Sequence, residues 1–142
     1  MTRLATELEA WCASYVAAFS AYDAEGVSAH WAFPALILQG KHRLVFAEEA
    51  KFTKNTANLL TFYRRQNVDR ADRKLLEAFE MGDATAAMRV EDQMLTPDGA
   101  LIATWQASYM LQKQADGWRA VSAVADGELA AWAARGTPLG SK

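Results

Sequence analysis

The chain has 142 residues, 51% of them apolar, and a net charge of −2 at neutral pH. That length suits one domain, spanning 1–142, which at this size buries roughly 68–70% of the surface its unfolded chain exposes. Nucleic acid is excluded as a partner for want of a one-signed stripe, since the basic cluster Arg64, Arg65, Arg70, Arg73 and Lys74 is interrupted by Asp69 and Asp72. No window approaches the roughly 18 apolar residues of a membrane span, and the lone Cys12 leaves no internal disulfide, so the expectation is a soluble, reduced, cytoplasmic protein with no membrane partner.

From Thr6 to Asp23, Leu8, Trp11, Cys12, Tyr15, Ala18, Phe19 and Tyr22 recur at steps of three and four, which predicts an amphipathic helix with an aromatic face. Thr6 and Glu9 form a capping box at its start, with Thr2, a turn earlier, as the alternative. Cys12 on that face reads as a small core residue. Val27 to Trp31 predicts a short second helix that Phe33-Pro34 ends. Ala35 to Gln39 predicts a strand, and after the Gly40 turn Leu44-Val45-Phe46 either extends it or pairs with it. Ala47 to Arg65 returns to helical spacing, with Ala50, Ala57, Leu60 and Tyr63 as inner positions.

Beyond Lys74 the period becomes two. Four strands follow, Lys74 to Met81, Thr85 to Leu95, Ala100 to Lys113 and Trp118 to Ala125, and the short turns between them require an antiparallel meander. Glu128 to Ala134 predicts a terminal helix stopped by Gly136 and Pro138. Helices followed by long hairpins mean α+β, with helices packed on one face of a curved, mainly antiparallel sheet. Alternation puts Ala86, Met88, Val90, Asp92 and Met94 on the inner face. Leu101, Ala103, Trp105, Ala107, Tyr109 and Leu111 follow in the next strand, leaving Ile102 and Met110 outside.

The order of elements, together with Tyr15, Phe19, Asp23, Gly26, Trp31, Pro34, the Phe46-led third helix and Asp116-Gly117-Trp118-Arg119, resembles the nuclear transport factor 2-like superfamily. That group includes SnoaL-like cyclases, ketosteroid isomerase and scytalone dehydratase. The resemblance implies a cone-shaped fold with a pocket between helices and concave sheet, and frequent dimerisation through the sheet's outer face. The isomerase's oxyanion-hole tyrosine matches Tyr15, but its general-base aspartate falls on or near Gln39 and its second acidic donor near Ala107, so its proton shuttle has no counterpart. The dehydratases' paired histidines have none either, because the chain holds only His30 and His42.

The catalytic candidates are therefore Tyr15 and Asp92. Tyr15 is either a core tyrosine or a donor to a ligand oxygen. Asp92, on an apolar face, is expected to have a raised pKa and serve as a base unless a bulge turns it outward or a Lys or Arg pairs with it; Glu91 replaces it if the register slips. Trp31, Met88, Trp105 and Tyr109 are the expected ligand-binding walls, or else fill the cone themselves. His30 reads as exposed or bonded to a carbonyl, His42 as solvated, and neither a metal site nor a cofactor is expected. The partner expected is a small apolar or aromatic molecule, with isomerase, cyclase or lyase chemistry if the domain is an enzyme. The competing reading is a non-catalytic module with a filled cone. A homodimer through Ile102, Met110 and the outer sheet face is expected, and in the competing reading that face serves self-association or another protein.

Overall fold

The aromatic stripe lies on α1 (Arg3–Ser20) in the computed structural model, which describes residues 2–140. The Thr2 hydroxyl accepts from the Ala5 amide at 3.0 Å, while Thr6 donates back to the Thr2 carbonyl at 3.1 Å from inside the helix. The cap thus falls at the earlier of the two threonines. Asp23 caps α2 (Ala24–Ser28) by accepting from the Gly26 amide at 3.0 Å, which starts this helix before Val27 and frees Trp31 for a strand. β1 accordingly runs Trp31–Gln39, longer than predicted, and Pro34 is accommodated where the pairing of β1 shifts between Trp31 and Leu36. β2 (His42–Phe46) pairs back on β1 across the Gly40 turn, where φ is +59°.

α3 (Glu49–Arg65) buries Phe52, Thr56, Leu60, Phe62 and Tyr63 and leaves Ala50 and Ala57 exposed. The bulky Phe52 sets the buried face, and the two alanines lie off it. β3 (Arg70–Glu80) begins before Lys74, β4 (Thr85–Leu95) has the predicted bounds, and β5 (Leu101–Gln114), β6 (Gly117–Val124) and α4 (Asp126–Ala134) complete the chain. The six strands form an open sheet in the order β2-β1-β6-β5-β4-β3. Every pairing is antiparallel except β1 with β6, which is parallel, so the sheet is mixed.

α1 lies over β3, and α4 lies over β5. The core between helices and sheet contains Leu8, Trp31, Met88, Val90, Leu111 and Trp132, all fully buried. At Gly127 the α4 backbone comes so close to β5 that a Cβ there would collide with the Gln106 carbonyl oxygen. One expectation is reversed in β5. Met94 pairs with Ala103 and Leu95 with Leu101, so Ile102 is an extra, bulged residue. The bulge exchanges faces locally: Leu101, expected inside, is 53% exposed, and Ile102, expected outside, is buried.

Candidate functional site

Between α1, α3, α4 and the inner sheet face lies a cavity of about 330 Å³. Its apolar wall is built by Tyr15 and Phe19 from α1, Trp31 from β1, Phe52 and Phe62 from α3, and Trp105 and Tyr109 from β5. Trp31 and Phe52 pack with ring centroids 4.8 Å apart, which fixes one side of the wall as a unit. Leu139 and Gly140, after α4, also border the space.

Two groups with carboxylates interrupt this wall, beside the neutral Gln39, Asn55, Thr56 and Asn58. The first is an ion pair between neighbouring strands: Arg73 Nε donates to Asp92 Oδ1 at 2.6 Å and Arg73 Nη2 to Asp92 Oδ2 at 2.9 Å, with side chains 4% and 6% exposed. Register explains the meeting, because Arg73 on β3 lies directly opposite Asp92 on β4. Arg73 Nη2 also donates to the Tyr109 hydroxyl at 2.8 Å, and the guanidinium carbon sits 4.7 Å from the Tyr109 ring centroid and 5.1 Å from that of Tyr15. Arg73 Nη1 is buried with no hydrogen-bond partner among the described residues. Asp92 therefore faces inward as alternation predicts, but a guanidinium occupies both its oxygens, the arrangement the sequence reading held as the alternative to a free base.

The second group is Glu128, at the start of α4. Its Oε2 accepts from the Tyr63 hydroxyl, and from the Trp132 indole N–H at 3.2 Å. Burial pushes this carboxyl up to about 7, against the opposing hydrogen bonds from Tyr63 and Trp132. Sequence reasoning missed both Arg73 and Glu128. Arg73 falls outside the predicted strand, and Glu128 stands at a helix start, where an acid is ordinarily a solvated partner of the dipole. The close approach at Gly127 is what carries it inward.

The remaining candidates divide. Tyr15 is buried, lines the cavity, and its hydroxyl accepts from the Trp31 indole N–H at 3.0 Å. Burial raises its pKa well above the ordinary tyrosine value, so the hydroxyl keeps its proton, for which the described residues supply no acceptor. Trp31, Trp105 and Tyr109 line the cavity. Met88 does not. It is buried beneath α1, with its sulfur 3.8 Å from the Cys12 thiol, so its inner-face position serves the core. Gln39, where an isomerase base would fall, lines the cavity as a neutral amide. His30 is held structurally, with Nδ1 2.7 Å from the Gly26 carbonyl and Nε2 2.8 Å from the Ser14 hydroxyl. Among the described residues no cluster of three or more His, Cys, Asp or Glu side chains could hold a metal ion, and no helix is long and apolar enough to cross a membrane.

Comparison with known proteins adds a frame to this geometry. Residues 6–128 match the family model described as NTF2-like protein (DUF6841). A solved ketosteroid isomerase-like protein from Erwinia carotovora atroseptica SCRI1043 superposes with a TM-score of 0.65 at 17% identity, over 87% of this chain and 95% of that one. An NTF-2 like protein of unknown function from Shewanella oneidensis MR-1 gives 0.66 at 9% identity, over 84% and 96%. A cystatin-like domain of unknown function from Nostoc punctiforme PCC 73102 gives 0.69 at 12% identity, over 87% and 76%. At these identities the likeness is one of fold. No curated protein matches the chain.

Proposed function

Because the chain belongs to the NTF2-like family DUF6841, whose scaffold hosts enzymes and non-catalytic binders alike, we propose that its function lies in the cavity, as a binding site for a small, mainly apolar or aromatic molecule. The observation that carries this reading is the unfilled volume of about 330 Å³ behind an aromatic wall, with the Arg73–Asp92 pair and Glu128 among its polar groups. A module whose cone is filled by its own side chains would leave no such space. Sites of this size, apolar with a few convergent polar atoms, suit compact ligands. Cofactor-free isomerase, cyclase or lyase chemistry is the activity such a site favours, with the Tyr15 hydroxyl as donor to a substrate oxygen. Asp92 enters it by holding Arg73, since a carboxylate engaged at both oxygens is a poor proton acceptor. The Erwinia neighbour is described as ketosteroid isomerase-like, which supports the reaction class, whereas Gln39 argues against that enzyme's own proton path. Native mass spectrometry of the purified protein tests the reading: a co-purifying small molecule, lost when Trp105→Ala removes part of the wall, is expected. A cavity that takes up no aromatic compound at millimolar concentration would refute it.

A second reading concerns the opposite face of the sheet. Val45, Leu36, Ser122, Met110, Ala87 and Phe79 stand side by side across all six strands, and Val45, Met110 and Phe79 are 69%, 38% and 52% exposed. The adjoining row carries Glu77 and Arg89, which pair with each other within the chain at 3.7 Å and so leave no unmatched charge beside the apolar row. We infer that a second copy of the chain covers this row. Ile102, first expected in that interface, is buried within the single chain, and Met110 takes its place at the centre.

A further inference from the structure

Glu128 differs from Asp92 in one decisive respect: no cation holds it. Both of its hydrogen bonds, from Tyr63 and Trp132, end on Oε2. Oε1 has no partner among the described residues, and the side chain borders the cavity. With two donors on Oε2, the proton of the neutral carboxyl belongs on Oε1, and when ionised Oε1 is the oxygen left to accept.

The groups facing Glu128 come from four elements: Tyr63 on α3, Arg73 on β3, Asp92 on β4 and Tyr109 on β5. Arg73 and Asp92 offset one another, and burial holds both tyrosines in their neutral forms. This leaves Glu128 as the group of the described cavity wall whose charge changes near neutrality.

We propose that Glu128 Oε1 recognises a flat, uncharged, largely apolar ligand bearing a weakly acidic hydroxyl, a phenol or an enol, whose O–H donates to that oxygen. The inference rests on the cavity being a ligand site. A ligand carboxylate would add a third negative charge to Glu128 and Asp92 against the single Arg73 cation, whose Nε and Nη2 already hold Asp92. A ligand ammonium would bring a second cation beside Arg73 in an enclosed space. The bound complex keeps one proton between the ligand oxygen and Oε1. Free protein with a protonated Glu128 must release that proton before it can accept the hydroxyl, so affinity climbs as pH rises through about 7 and falls again only where the ligand itself ionises.

Four probes of matched shape test this: ethylbenzene, 4-ethylphenol, 4-ethylbenzoate and 4-ethylbenzylamine, titrated against the full chain while the indole N–H resonances of Trp31 and Trp105 are followed by NMR. The expected result is that 4-ethylphenol binds at least about tenfold more tightly than ethylbenzene above neutral pH, the low end for a hydrogen bond to a charged group. That advantage shrinks below neutrality and is lost with its pH dependence in Glu128→Gln, whose amide oxygen still serves Tyr63 and Trp132. In the wild type, the Glu128 carboxyl, followed by 13C NMR, is expected to titrate at lower pH when 4-ethylphenol is bound. Equal affinity for 4-ethylphenol and ethylbenzene, an unchanged pH profile in Glu128→Gln, or tighter binding of the benzoate or the benzylamine would overturn the inference while leaving the cavity a binding site. Failure of ethylbenzene and every other probe to bind would overturn the cavity reading with it.

Discussion

At the scale of single residues, the energetics of the site turn on how each buried charge is matched. Arg73 and Asp92 satisfy each other at 2.6 and 2.9 Å. Removing one strands the other, so Arg73→Leu should cost about 3–5 kcal/mol, whereas Arg73→Met combined with Asp92→Leu should recover most of that loss. Urea denaturation of the wild type and the two variants measures both effects. Glu128 behaves in the opposite sense because its matching is incomplete. Its carboxyl sits near 7 in the folded chain against an ordinary 4.5. Below the lower value both states are protonated and the residue costs nothing; between the two values only the unfolded chain ionises, and above the higher one the penalty is constant. Stability should therefore decline from about pH 4.5 to about pH 7, by no more than about 3 kcal/mol. Denaturation midpoints across that range should show the decline, and Glu128→Gln should flatten it.

Among elements, α4 is the one whose position decides whether Glu128 reaches the cavity, and Gly127 decides the position of α4. Any Cβ at Gly127 meets the Gln106 carbonyl, part of a strand backbone that cannot yield cheaply. Gly127→Ala should accordingly destabilise the fold by about 1–3 kcal/mol and displace the Trp132 indole N–H resonance, since Trp132 donates to Glu128. The same level shows what the sequence could and could not disclose. The aromatic period of α1, the alternation of β4 and the turn glycines Gly99 and Gly117, both at positive φ, are local signals: β4 has the expected bounds, and α1 is present but lies about a turn earlier than Thr6–Asp23, leaving Tyr22 beyond its end. Arg73 opposite Asp92 depends on register between strands, and one bulge at Ile102 is enough to exchange the faces of Leu101 and Ile102. Glu128 entered the cavity through tertiary contact at Gly127, which no period in the sequence records. Asp23 misled for a different reason: it ends one helical pattern and caps the next helix at once, which shifted α2 and hid the first residues of β1.

For the whole molecule, the two sheet faces differ in what covers them. The inner face is closed by helices around the cavity, and the outer row from Val45 to Phe79 is the surface proposed for a second copy. Met110→Glu places a charge at the middle of that row, and sedimentation velocity at micromolar concentration should show a wild-type dimer and a variant monomer with unchanged circular dichroism. The parallel pairing of β1 with β6 has a temporal consequence. During synthesis β1 emerges early, yet its inner-sheet neighbour is β6, made only after the whole meander, as the pairing of Trp31 with Ala120 and of Leu38 with Val124 shows. Until then one edge of β1 stands open to other chains and the wall formed by Trp31 and Phe52 has no sheet to close against. So distant a closure is slow by the rule that non-local contacts delay folding. The cavity consequently cannot close until β6 and α4, the last elements made, are in place beside β1.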